Sequence, residues 1–218
     1  MKAKFIRHLQ AEIAQKLPGQ AAQKEMMGQA LARRADQESR FKLPKKYKEA
    51  ATLLLLYMHK GEWHTALMQR PASPYPHSKQ ISFPGGGLEV FDAGPAAAAL
   101  RETEEEFGVL AETVELLGPM TPLYIPVSNY LVYPFVGYLE ERPHFVPDAE
   151  EVEEIIEIPL AELLDSTNRK SKDIQTYNGR ILPNMPYFDL CGKTVWGATA
   201  MMLSEFVALC KALAQEAA

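Results

Sequence analysis

"LRETEEEFG", residues 100–108, sets four glutamates into the five positions from Glu102 to Glu106, with Arg101 before them and Gly108 after. Gly94-Pro95 and four alanines precede it. Proline is accepted in a first helical turn, where its missing N–H costs nothing, and alanine is the strongest helix former. Glycine after the last turn is a common stop. A helix is therefore expected over Pro95–Phe107. At about 100° per residue, Glu102, Glu105 and Glu106 share one stripe, while Ala96, Leu100, Thr103 and Phe107 lie opposite it. Carboxylates held this close raise one another's pKa unless a cation neutralises them. A solvated helix usually alternates Glu with Lys four residues on, yet no lysine occurs between positions 80 and 140. The stripe reads either as a solvated acidic face or as a seat for a hard divalent cation, which prefers carboxylate oxygens. Gly85-Gly86-Gly87 lies a short loop upstream. Glycines let a backbone approach a ligand closely, so the order glycine turn, then acidic helix, describes a pocket for a metal-bound phosphate or pyrophosphate.

Outward from the helix, "AATLLLLYMH" (50–59) is a short apolar run and reads as a buried strand. Lys60-Gly61-Glu62 forms a turn, and "WHTALMQR" (63–70) is the returning strand of a hairpin. A proline-rich loop leads to "ISFPGGG". "VELLGPM" and "YLVYPFVGYL" are further strands, separated by a loop holding Pro122 and Pro126. "IIEIPLAELLD" starts as a strand and becomes a helix near Pro159. "YFDL" and "KTVWG" flank Cys191-Gly192 as a hairpin, and 198–213 closes the chain as a helix. Strands mixed with helices of unequal length predict an α/β or α+β sandwich on a mixed sheet.

The chain of 218 residues is 47% hydrophobic, enough for one substantial core. Its net charge of −5 gives no reason to expect nucleic acid as a partner. Residues 1–50 carry 12 Lys/Arg against 5 Asp/Glu, so a basic front precedes an acidic body. Phe5, Ile6, Leu9, Ile13 and Leu17 recur at helical spacing, predicting an amphipathic helix. We divide the chain into a helical N-terminal extension, 1–48, and a main domain, 49–218. The basic extension is a candidate for pairing two copies as a homodimer or for docking a partner. Cys191 and Cys210 lack metal-ligand spacing, which suits a reducing compartment. No apolar run reaches bilayer length, so no membrane partner is expected and a cytoplasmic location is.

Gly87 and the segment Arg101-Glu102-Thr103-Glu104-Glu105-Glu106-Phe107-Gly108-Val109 resemble the Nudix box, G-x5-E-x7-R-E-U-x-E-E-x-G-U with U apolar. Thr103 stands at an apolar position. Ala93 stands where the first glutamate is usual, with Glu89 and Asp92 nearby. The stretch from His77 through Gln80 to Phe83-Pro84-Gly85-Gly86 is similar to the "GQ-x-x-FPGG" of the coenzyme A pyrophosphatase branch. Lys79 replaces the glycine there, and Tyr75 stands where arginine is common. Arg70, "YLVYPFVGYL", "EEVEEIIEIPL" and "VWGATAMML" follow that branch in order, and the likeness spans about residues 50–212.

The resemblance implies an α/β/α sandwich around a mixed sheet. It implies a Mg²⁺- or Mn²⁺-dependent diphosphatase cleaving coenzyme A or a derivative into 3′,5′-ADP and a 4′-phosphopantetheine species. The alternatives are a hydrolase of another nucleoside diphosphate derivative, such as a dinucleotide or nucleotide sugar, and a silent nucleotide-binding regulator. Glu105 and Glu106 are carried over as principal metal ligands, and Glu102 as a further ligand or water-orienting base. Arg101 is an orienting partner in the catalytic set with Glu102 and Glu105. Glu151 is the candidate carboxylate from outside the box, with Glu150, Glu153 and Glu154 as competitors. Glu104 is expected in solvent. Arg70, His77, Gln80, Gly86 and Gly87 are expected to meet the substrate, although His77 and Gln80 have equal claim to holding the loop. Tyr124, Tyr130 and Tyr133 read as packing aromatics, with base stacking as the alternative.

Overall fold

The strand expected at 50–59 is the spine of the molecule. The computed structural model describes residues 2–28, 43–74 and 78–216. Residues 29–42 of the expected helical extension, together with Tyr75 and His77, lie outside them. β1 (Lys48–His59) buries side chains on both faces. Ala50, Leu54 and Leu56 enter one core, while Ala51, Leu53, Leu55 and Tyr57 enter the other. That two-sided burial is why the run is continuously apolar rather than alternating.

β1 pairs antiparallel with β2 (Glu62–Gln69) and parallel with β7 (Tyr130–Leu139). The sheet continues through β3 (Ile81–Ser82) beyond β2 and β5 (Glu115–Pro119) beyond β7. β4 (Gly85–Gly87) joins β1, β6 (Leu123–Ile125) joins β7, and β8 (Glu154–Pro159) joins β2. The result is the expected mixed sheet. One face carries α3, Pro95–Phe107, at the expected bounds, with Gly108 in the left-handed conformation ending it. The opposite face carries the N-terminal helices α1 (Lys2–Gln15) and α2 (Gly19–Lys24) and the closing helix α5 (Gly197–Glu216). α4 (Leu160–Leu164) follows Pro159 directly, as read from the sequence. No helix among the described residues is long and apolar enough to cross a membrane.

The amphipathic pattern at the N-terminus has a partner within the chain. Ile6, Leu9, Ile13 and Met26 are buried in the core that α5 fills, and Phe5 packs at 5.2 Å from the ring of Trp63. Glu205 of α5 is fully buried and accepts hydrogen bonds from Gly19 N, Gln23 Nε2, Thr121 N and Thr121 Oγ1. The helices before residue 48 and the sheet after it thus share one core.

A second sheet stands beside the first, in the order β11 (Lys193–Trp196), β10 (Ile181–Leu190), β9 (Arg169–Gln175). The sequence reading found only its Cys191-Gly192 turn and the strand ends flanking it. Pro183 and Pro186 weaken the strand signal in β10, and a register shift between Leu182 and Met185 accommodates the first of them. β6 likewise carries little strand signal, because Pro122 and Pro126 bracket its three residues.

Candidate active site

The acidic helix meets the glycine turn because β4 lies against β1. Thr52, Ala51 and Ala50 face Gly85, Gly86 and Gly87 across that pair. A Cβ on Gly85 would fall 2.3 Å from the carbonyl oxygen of Ala51, so only glycine fits. A Cβ on Gly86 would fall 2.4 Å from the Glu102 carboxylate. The turn is therefore a cradle whose open side is the carboxylate of α3.

Glu102, Glu106 and Glu151 bring one oxygen each to within 4.8 Å of one another. Glu151 reaches the other two because its loop is laced to the end of α3. Val146 N donates to Phe107 O, Asp148 N donates to Glu106 O, and Asp148 O accepts from Val152 N. Glu150, Glu153 and Glu154 stay outside the cluster; Glu153 pairs instead with Lys79 and Gln69.

Glu106 is 1% exposed, although it lies on the carboxylate stripe. The acidic and apolar stripes of α3 are thus adjacent at this residue rather than opposed. Gly85 N donates to its Oε2 at 2.7 Å, and Arg70 Nη2 stands 3.4 Å from its Oε1. Loss of solvent dominates these contacts and pushes the carboxyl up to about 8, with Glu102 and Glu151 adding to the rise. Burial likewise raises Glu102 above its ordinary range, against the pull of Arg101. Three oxygens converge here, one of them buried and undersupplied with positive charge. This donor set fits a hard divalent cation, which collects carboxylate oxygens and relieves their repulsion.

Glu105 goes elsewhere. It is the most exposed of the three box carboxylates, and Arg101 Nη1 donates to it at 2.8 Å. The same nitrogen donates to Glu102 at 2.9 Å, and Nη2 to Gly87 O at 3.1 Å. Asp92 accepts from Nε at 3.0 Å and Nη2 at 3.1 Å. This fork raises the arginine's pKa and holds Asp92 below the usual carboxylate range. Arg101 is thus a hub tying the loop, the glycine turn and two glutamates. Asp92, one residue before Ala93, is the loop carboxylate that holds this arginine.

Arg70 stands against the cluster, with Nη2 also 3.2 Å from Gly85 O. Gln80 accepts through its carbonyl from Arg70 N, holding the loop to the end of β2. Thr103 is buried at its apolar position because Oγ1 donates to Ala99 O at 2.7 Å. Glu104, expected in solvent, accepts from Ala111 N at 2.9 Å and fastens the turn after the helix. Tyr133 donates to Glu49, Tyr124 donates to Asn129, and the Tyr130 ring lies under Lys48 Nζ.

A NUDIX domain model matches residues 46–179. The "Uncharacterized Nudix hydrolase NudL" of Pectobacterium atrosepticum is 32% identical over 158 residues, covering 72% of this chain and 80% of the relative. The protein of the same name from Escherichia coli is 31% identical over 155 residues, covering 71% and 79%. Among solved structures, the MutT protein from Methanosarcina mazei Go1 is 18% identical with a TM-score of 0.49, over 77% of this chain and 96% of that one. The chain belongs to the Nudix family, and it is a Nudix hydrolase.

Proposed function

We propose that this chain hydrolyses the diphosphate linkage of coenzyme A or a derivative, releasing 3′,5′-ADP and a 4′-phosphopantetheine species. The observation carrying the reaction class is the convergence of Glu102, Glu106 and Glu151 beside the glycine cradle. The coenzyme A assignment is supported by the stretch from Gln80 to Gly86 leading into that cradle, which resembles the coenzyme A branch.

Glu102, Glu106 and Glu151 would hold the divalent cation, with Glu105 released from Arg101 as a further ligand. Such an ion neutralises the diphosphate oxygens and the departing phosphate, which is the main electrostatic demand of this chemistry. The protein's own groups do the positioning. Arg101 fixes the rotamers of Glu102 and Glu105 while gripping Gly87 O. Arg70 places a positive charge at the same mouth and is free to turn its second edge toward a phosphate oxygen. Glu102, half-buried and of raised pKa, is suited to take a proton from an attacking water once charge repulsion is relieved.

The test is hydrolysis of coenzyme A by the purified chain with Mg²⁺ and with Mn²⁺, read by product mass, beside Glu106→Gln. Release of 3′,5′-ADP that needs metal and disappears in the variant is the expected result. Cleavage of a dinucleotide or nucleotide sugar with coenzyme A left intact would keep the Nudix chemistry and overturn the substrate. No turnover of any diphosphate would favour a binding module.

A further inference from the structure

The end of β2 has two sides. Arg70, just past the strand, faces the glutamate cluster, while Gln69 lines a cavity of about 340 Å³ between the main sheet and the small sheet. Lys79, Lys172, Asp173, Lys193 and Thr194 also line it. β10 and β11, with Lys193, Thr194 and Trp196, lie beyond the 46–179 span matched by the family model. The wall brings three lysines together beside Gln69, the residue before Arg70.

Two of the lysines are already matched by carboxylates. Lys79 pairs with Glu153 at 3.0 Å, and Lys193 pairs with Glu154 while donating to Gln69 Oε1 at 3.1 Å. Lys172 has no carboxylate partner among the described residues. Its Nζ donates to Thr194 Oγ1 at 2.6 Å and sits 4.6 Å from the centre of the Tyr187 ring. The neighbouring carboxylate, Asp173, accepts from Asn184 N. Lys79 adds a second sign: its φ of 59° is left-handed, a conformation that is strained for a residue bearing a side chain. It also occupies the position where the resembling branch has glycine. A lysine kept where glycine is easier points to a use for its charge.

We propose that this cavity is a phosphomonoester subsite that takes the 3′-phosphate of the substrate's ADP moiety, with Lys172 as its anchor and Lys79 and Lys193 closing on it. The inference rests on the coenzyme A reading and deepens it. A phosphomonoester carries about −1.5 to −2 charge at neutral pH, enough to use the unmatched charge of Lys172 and to draw the two flexible paired lysines from Glu153 and Glu154. Gln69 and Arg70 are consecutive, so the two phosphate sites lie around one strand end. A nucleotide's 5′-diphosphate and 3′-phosphate likewise hang from one ribose. The cavity volume falls in the range of small-ligand sites, though at its lower end.

The experiment is kcat/KM for coenzyme A and for dephospho-coenzyme A, which lacks only the 3′-phosphate, using the full chain with Mg²⁺. Wild type is expected to prefer coenzyme A by about tenfold or more, since a charge-assisted hydrogen bond changes affinity by that order. Lys172→Gln should shrink that ratio about tenfold, chiefly through KM, and Lys172→Arg should restore most of it. An unchanged ratio in Lys172→Gln, or equal use of both substrates by wild type, overturns the subsite and leaves the coenzyme A reading standing. A wild type inert toward both compounds, yet active on another nucleoside diphosphate derivative, overturns the coenzyme A reading and the subsite together.

Discussion

Glu106 and Glu205 are both buried glutamates, on helices that cover opposite faces of one sheet. Their surroundings differ in kind. Glu205 faces only donors: two backbone N–H groups, a hydroxyl and an amide. Glu106 has one backbone donor, one long contact to Arg70, and two carboxylates for neighbours. Burying a carboxylate is costly wherever it happens. At Glu205 the chain supplies the compensation and gains a clasp between α2, α5 and the loop at Thr121. At Glu106 the compensation is withheld, which leaves the pocket in need of an external cation. Completeness of the hydrogen bonding separates the structural carboxylate from the functional one, where burial alone would class them together.

The comparison breaks most sharply if the two residues are exchanged in role. Glu106→Gln is expected to lower metal-dependent diphosphate hydrolysis roughly a thousandfold, the scale seen when a key electrostatic group is removed. It should leave thermal stability equal or higher, since an amide is spared the cost of ionising a poorly compensated buried carboxyl; a large loss of stability would make Glu106 a structural residue like Glu205. Glu205→Ala should do the reverse. It orphans several buried donors and should cost about 3–5 kcal/mol in urea unfolding, with kcat/KM unchanged where the variant is folded. Activity loss without destabilisation would sink the assignment.

The contrast should also appear in pH melts without divalent metal. The Glu106 carboxyl is held near 8 in the fold, against 4.5 for the ordinary group. Between those values the folded chain keeps a proton that the unfolded chain has lost. Its contribution to stability is therefore present at low pH and declines as pH rises through that window. Wild type should melt earlier at pH 8 than at pH 5 by more than Glu106→Gln does, and Mg²⁺ should offset the difference most at the higher pH. A variant with the same slope as wild type would refute this. The smallest effect is expected at the cradle. Gly86→Ala pushes a methyl toward the Glu102 carboxylate and should weaken Mg²⁺ binding about tenfold, measured by calorimetry, with little change in stability.

Much of the fold was legible because local signals agreed with tertiary need. Proline, alanines and Gly108 delimit α3, and β1 announces itself by apolar residues on both faces. Where local chemistry opposed the final structure, the reading failed. Pro183 and Pro186 hid most of β10, and Pro122 and Pro126 hid β6. In the site, spacing along α3 grouped Glu102, Glu105 and Glu106, and the resemblance nominated Glu151. The structure joins Glu151 to Glu102 and Glu106 and turns Glu105 outward to Arg101. Helical periodicity gives an angle around an axis; it does not give depth, which β4 and the Glu151 loop set. Lys172 and Lys193 carried no signal, being two ordinary lysines on strands until the small sheet folds against β2.

The sequence by itself determined the chemistry this protein can perform: an acidic helix behind a glycine turn, with too few local cations to neutralise it. It also determined the mixed sheet, since strand and helix periods are local properties of the chain. Only the tertiary structure decided which carboxylates converge, which buried glutamate is satisfied, and that the N-terminal helices share the core of the sheet. Those outcomes depend on segments far apart in sequence, such as Gly19 with Glu205, Gly85 with Glu106 and Gln69 with Lys193. Their meeting is set by how the layers pack, and no single stretch of the chain encodes that.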